Sequence, residues 1–206
     1  MAYLLPAEYA AYGLAAETAD AWVAAASAMI DAHCKRPGLG VQSYTERLRV
    51  GPRSNAVRLS YGPVVDVTAA RARFARRDGL AFAGGLAFGD ELACAVEAFC
   101  AAGTWVALEV STLDVCAGTG EVTLPINVLG APYAQVEVTY DAGFAVVPEA
   151  VKVACAQMVR NAQAMPALNV KSKRVDTLQM EYFSDSLMDA QVVELLRPYV
   201  AERWNG

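Results

Sequence analysis

His33 and Cys34 are the one adjacent histidine–cysteine pair in this 206-residue chain, and an imidazole beside a thiol is the pattern of an activated nucleophile. They fall late in a helical pattern, where neighbouring side chains point roughly 100° apart and do not face each other. A helix-end histidine favoured by the macrodipole is the simpler reading. His33 is the only histidine, so a His-rich zinc site, a two-histidine iron site and a two-imidazole relay are excluded within one chain. The five cysteines, Cys34, Cys94, Cys100, Cys116 and Cys155, are odd in number and show no CxxC spacing. They read as buried small hydrophobes in a reducing compartment.

The other patterns that invite chemistry lack the residues it needs. Gly84 and Gly89 bracket four residues as in a phosphate-binding loop, but Asp90 and Glu91 follow where lysine and a hydroxyl should reach phosphate and magnesium. GxGxxG, HExxH, GxSxG and the EF-hand loop are absent. Glu181 and Asp185 form a carboxylate pair, yet such pairs near a helix start are far more often solvated or capping than catalytic. The sequence therefore supports no enzyme, no metal and no cofactor.

Charge is distributed unevenly. Residues 35–77 hold ten Lys or Arg against Glu46 and Asp66, a local balance of +8, while the whole chain carries −5 and the remainder therefore −13. Two readings fit: one face meets an acidic partner, phosphate or protein carboxylates, or the arginines sit on a solvated sheet face. Arg71, Arg73, Arg76 and Arg77 are the candidates for such contacts, the first two sharing one side of a strand.

These residues must be positioned by a globular scaffold: 55% of the side chains are apolar and 19% charged, and this length buries a sizeable core without metal or disulfides. No apolar run reaches the roughly 20 residues of a membrane span, and MAYLLPAEYAAYG lacks the basic start and long apolar stretch of a signal peptide, which predicts a protein made and used without crossing a membrane. A short helix is expected from Pro6 and a longer one from Thr18 as cap, with Trp22, Val23, Ala26, Met29 and Ile30 inward and Pro37-Gly38 as its stop. The apolar period then changes to two: residues 42–50 and 55–61 read as a hairpin around GPRS, and a third strand starts at Val64. A helix is expected over residues 90–101, and strands in WVALEV, GTGEVTLP and AQVEVTY. Helical spacing returns at Pro148 and runs to about Ala164, with Val151, Ala154, Cys155, Met158 and Val159 on one face, and again over residues 187–199. Between them a basic run, NVKSKRVDT, leads into LQMEYF, whose alternation suits a strand added to another protein's sheet. The fold class is α+β: a helical bundle formed by the N- and C-terminal helices (residues 1–38 and 146–206) with a β-rich central module (41–145), the latter carrying an insertion at 76–104.

Two stretches carry a resemblance. The first is YLLPAEYAAYGL with MIDAHCKRPG and SYTERLRV; the second is VEVTYDAGFAVVPEAVKVACAQMVRNA with VKSKRVDTLQMEYFSDSLMDAQVVELLRPYV. Together they resemble the head-to-tail connector, or adaptor, family of tailed bacteriophages and gene transfer agents, in which a TYxAGYxxVPxxVKxA segment joins the last strand to a core helix; Phe144 stands here where Tyr is commoner. The resemblance spans both ends and the strand segments, and leaves residues 76–104 unmatched. It implies a structural virion protein, not an enzyme: a dodecameric homo-oligomer ring beneath the portal protein, extending the channel for packaged double-stranded DNA and offering a platform to the next neck, stopper or tail protein. It places the chain at the head-to-tail interface of the virion, assembled in the bacterial host cytoplasm, with no membrane. Residues 170–206 would dock the portal, with Lys171, Lys173, Arg174, Leu178, Met180, Tyr182 and Phe183 as contact candidates. Alternatives are a stopper or tail-completion factor, a nucleic-acid-binding regulator, against which a pI of about 4.9 weighs, and an uncharacterised enzyme.

Overall fold

The computed structural model describes residues 2–51, 54–74, 103–126, 133–164, 172–175, 178–181 and 187–201, the short strands at 172–175 and 178–181 by backbone alone. The chain divides into two compact units, one holding Met1–Gly40 and Phe144–Ala201, the other Val41–Gly143. The α+β class is as expected: helices dominate the first unit and antiparallel strands the second.

In the first unit a 3-10 helix, Pro6–Tyr12, begins on proline, and the Glu8 carboxylate reaches back to accept from the Leu5 N–H at 3.0 Å. Helix α1 spans Asp20–His33, α2 Glu149–Ala164 and α3 Ala190–Leu196, the last followed by a 3-10 turn, Arg197–Tyr199. Helix α1 starts one residue beyond the position a Thr18 cap implies: Ala19 caps it, and the Thr18 hydroxyl is buried without a hydrogen-bond partner. Its inward stripe is Val23, Ala26, Ser27 and Ile30. Trp22 and Met29, expected inside, are 40% and 37% exposed, because each precedes a stripe residue by one position and is turned about 100° off it. Helix α2 buries the face read from the sequence, Val151, Ala154, Cys155, Met158 and Val159, and α3 adds Val192 and Leu196 to the same core. Asp189 caps α3, accepting from the Val192 N–H at 2.8 Å, so the helix begins later than residue 187.

Tyrosines pin the N-terminal segment to these helices. Tyr9 donates to Asp20 at 2.7 Å, Tyr12 to Glu149 at 2.7 Å, and Tyr3 to Asp31 while accepting from the Leu39 N–H at 3.0 Å. Lys152 of α2 pairs with Glu8. Strands β8 (Ser172–Val175) and β9 (Leu178–Glu181) pair antiparallel with each other. Residues 172–175 of the basic run thus form a strand, and one edge of Leu178–Glu181 is taken within the chain.

The second unit holds strands β1 (Gln42–Arg49), β2 (Ala56–Arg58), β3 (Val64–Phe74), β4 (Trp105–Leu108), β5 (Asp114–Cys116), β6 (Glu121–Thr123) and β7 (Tyr133–Ala142). They form an antiparallel sheet in the order β1-β7-β3-β4 and a smaller one in the order β2-β6-β5. The expected hairpin of residues 42–50 with 55–61 does not form: β1 pairs with β7, and β2 with β6. The inner side of β7, Val136, Val138, Tyr140 and Ala142, is fully buried, and a strand so apolar gains most from pairing on both edges, which β1 and β3 supply. Glu46 lies on that inner side, where its carboxylate accepts from the Tyr140 hydroxyl at 2.7 Å and the Ser60 N–H at 3.2 Å. The expected helix at 90–101 lies outside the described residues, as does all but the end of the expected insertion.

Candidate functional site: the open face of the four-stranded sheet

Period-two alternation puts the odd-numbered residues of β1 and β7 on the side of the sheet away from the core. Register aligns them in rows. Ser43, Asp141 and Asp66 form the first, and Thr45, Thr139 and Ala69 the second. Arg47, Glu137, Arg71 and Ala107 form the third, and Arg49, Gln135, Arg73 and Trp105 the fourth.

The third and fourth rows make a basic cluster around one carboxylate and one indole. Glu137 accepts from Arg47 Nε at 3.2 Å and Nη2 at 2.8 Å, and from Arg71 Nε at 2.7 Å, with Arg71 Nη2 at 2.6 Å from the same oxygen. The Arg47 hydrogen bonds, with Arg71 adding to them, hold the Glu137 carboxyl below the usual carboxylate range. The guanidinium carbons of Arg47, Arg71 and Arg73 lie 5.1, 5.2 and 5.2 Å from the centre of the Trp105 ring, within reach of its negative face. One carboxylate cannot neutralise three guanidiniums, and Arg49 stands in the same row as Arg73, so this end of the face keeps a surplus positive charge suited to carboxylate or phosphate groups.

Of the sequence-derived candidates, Arg71 and Arg73 do share this face, while Arg76 and Arg77 lie outside the described residues. Lys173 and Met180 are register partners on β8 and β9, Arg174 is opposite Gln179, and Leu178 is opposite Val175. Lys171, Tyr182 and Phe183 lie outside the described residues. Reading the sequence alone missed Arg47, Glu137 and Trp105 as companions of Arg71. Their only signal is period-two placement within three separate strands, which does not reveal which strands are neighbours.

The thiols offer no nucleophile of the kind the His33–Cys34 pair suggested. Cys34 is buried, and burial pushes its thiol up to about 11; Cys155 is buried and raised for the same reason. Cys116, expected inside, is exposed at the end of β5, where hydrogen bonds with Thr119 in the following turn lower it. Cys94 and Cys100 lie outside the described residues. Among the described residues no group of three or more His, Cys, Asp or Glu is arranged to hold a metal ion, and no helix is long and apolar enough to cross a membrane.

No protein-family model and no curated protein matches the chain. Among solved structures it is similar to a chain in the neck of an empty GTA particle computed with C6 symmetry, at 16% identity and a TM-score of 0.48, over 99% of this chain and 92% of that one. It is likewise similar to a chain in the neck of the native GTA particle computed with C12 symmetry, at 17% identity and a TM-score of 0.46, over the same shares.

Proposed function

We propose that the chain is a structural neck protein of a tailed phage or gene transfer agent particle, an adaptor that assembles as a dodecameric ring below the portal, extends the DNA channel and carries the next neck, stopper or tail protein. The observation that carries this reading is the segment TYDAGFAVVPEAVKVA, in which the sequence resemblance is densest. It begins on β7, one of the two interior strands of the main sheet, and continues into α2, the helix with the largest buried face among the described residues of the first unit. Gly143 makes the exit with φ 133°, a conformation that disfavours side chains. Phe144 follows: its N–H donates to the Leu39 carbonyl at 2.8 Å, and its ring meets Tyr199 edge-on at 5.6 Å. That aromatic contact needs no hydroxyl, which accounts for phenylalanine being accepted where tyrosine is commoner.

In this reading the β8–β9 hairpin and the residues around it dock the portal, and a structural role replaces catalysis. Truncation before the hairpin is a poor test, because it also removes Val192 and Leu196 from the core of the first unit. The better experiment mixes the full chain with the portal protein of its own particle and images the complex. A ring of this chain on the portal is expected, and it should weaken when Lys173 and Arg174 are both replaced by Glu. A chain that binds no portal and enters no particle neck overturns the reading.

A further inference from the structure

The open face of the main sheet has two ends of opposite charge. At the first row Asp66 of β3 stands directly opposite Asp141 of β7, and no cation pairs with either among the described residues. Like charges directly opposite on paired strands are destabilising. Asp66 Oδ1 accepts from the Val67 N–H at 2.9 Å, which fixes its position without neutralising it. Six residues along β7, at Gln135, lies the row of Arg49, Arg73 and Trp105, about 20 Å away at the rise of an extended strand. Between the ends stand the Thr45–Thr139 pair, whose hydroxyls are 3.1 Å apart, and the Arg47–Glu137–Arg71 triad. A separation of about 20 Å exceeds the screening length of about 8 Å at physiological salt, so the two ends do not relieve each other within one molecule.

We propose that this face is a contact surface between copies of the chain: the Asp66–Asp141 end of one copy meets the Arg49–Arg73–Trp105 end of the next. The inference deepens the ring reading and rests on it, naming the surfaces a head-to-tail ring would use. A second copy is the occupant the charges favour. A nucleic-acid backbone laid along the strands would gain from the arginines and be repelled at the aspartates, whereas in a head-to-tail ring each end meets the oppositely charged end of a different neighbouring copy. The indole extends the basic end as an apolar platform, a side chain enriched where protein surfaces meet.

The test uses the full chain and two double variants, Asp66→Lys with Asp141→Lys and Arg49→Glu with Arg73→Glu, which leave the Glu137 pairs intact. Self-association is followed by sedimentation velocity at low and high salt, with circular dichroism to confirm folding. The native chain should associate at low salt and weaken as salt rises. Each variant alone should lose at least about tenfold in association, since both its ends now carry one sign, and an equimolar mixture of the two should regain it. Asp66→Asn with Asp141→Asn, which removes charge without reversing it, should give a smaller loss and a flatter salt dependence. Variants that associate as the native chain does, or a mixture of folded variants that fails to regain association, overturns the proposal. So does a loss confined to DNA retention in the Arg49→Glu, Arg73→Glu variant. Rings on the portal that both variants still form refute the surface and leave the neck reading standing. Rescue by mixing in a chain that binds no portal does the reverse.

Discussion

Replacing Tyr140 by Phe should destabilise the second unit by about 2 to 3 kcal/mol. Tyr140 is fully buried on the inner side of β7, where its hydroxyl donates to Glu46 at 2.7 Å and accepts from the Tyr61 N–H at 3.3 Å. The ring stays in place, so no cavity forms, and the cost comes from hydrogen bonds alone. A buried bond to a carboxylate contributes about 1.5 to 3 kcal/mol and the amide's lost acceptor about 0.5 to 1.5 kcal/mol, part of which water recovers at the half-buried Tyr61. With a urea slope of about 1.5 kcal/mol/M for a unit of this size, the midpoint should fall by about 1 to 2 M. Glu46→Gln and the double variant complete a cycle, which should return a coupling of at least about 1 kcal/mol between the two side chains. A loss below about 0.5 kcal/mol, or a cycle with no coupling, would refute the view that this carboxylate is held on the core side of the sheet by the phenol.

Three further outcomes follow from groups elsewhere. Hydrogen bonds to Asp20 and Glu149 push Tyr9 and Tyr12 up to about 12, and burial raises Tyr3 further; a raised folded value stabilises below the ordinary pH 10 and is lost above it. Proteolysis of the N-terminal segment should therefore accelerate from about pH 10 upward, with a faster rate at neutral pH and a smaller rise above pH 10 in Tyr12→Phe, and a flat profile to pH 12 would contradict the pinning. Under native conditions alkylation mapped by mass spectrometry should modify Cys116 and spare Cys34 and Cys155 until urea unfolds the first unit. Asp189→Ala should cost about 1 kcal/mol through the lost α3 cap. Because hydrogen bonds, led by that from the Val192 N–H, lower the Asp189 carboxyl, this difference from the native chain should vanish as pH falls through its depressed folded value.

What the sequence made legible is what periodicity encodes locally. The period changes at about Gln42 and Pro148 coincide with the start of β1 and the residue before α2, and the inward face of α2 is a direct reading of its three- and four-residue spacing. The failures each have a physical reason. Trp22 and Met29 are bulky and apolar, yet helix geometry turns them off the stripe that Val23, Ala26 and Ile30 define, so size misled where spacing was the better guide. GPRS looked like a hairpin turn because turn chemistry is local, whereas the pairing of β1 is decided by β7, whose apolar side needs a partner on each edge.

The candidate site shows the same division more sharply. That Arg71 and Arg73 share a side of a strand follows from a period of two, and it holds. Whether two arginines form a binding surface or a solvated face depends on the side chains across the ladder, and register is a long-range property: Glu137 meets Arg71 from 66 residues away and Arg47 from 90. Only after β7 is seated between β1 and β3 do the rows exist, and only then does Asp66 face Asp141 at one end while Arg47 and Arg71 share one carboxylate and, with Arg73, one indole at the other. The uneven charge along the chain, +8 in residues 35–77 against −13 elsewhere, fits an acidic partner and a solvated sheet face equally well, because linear charge carries no register. The fold turns that linear imbalance into a polarity across one sheet face, because β7 brings Asp141 and Glu137 from the acidic remainder into the middle of the basic segment's strands.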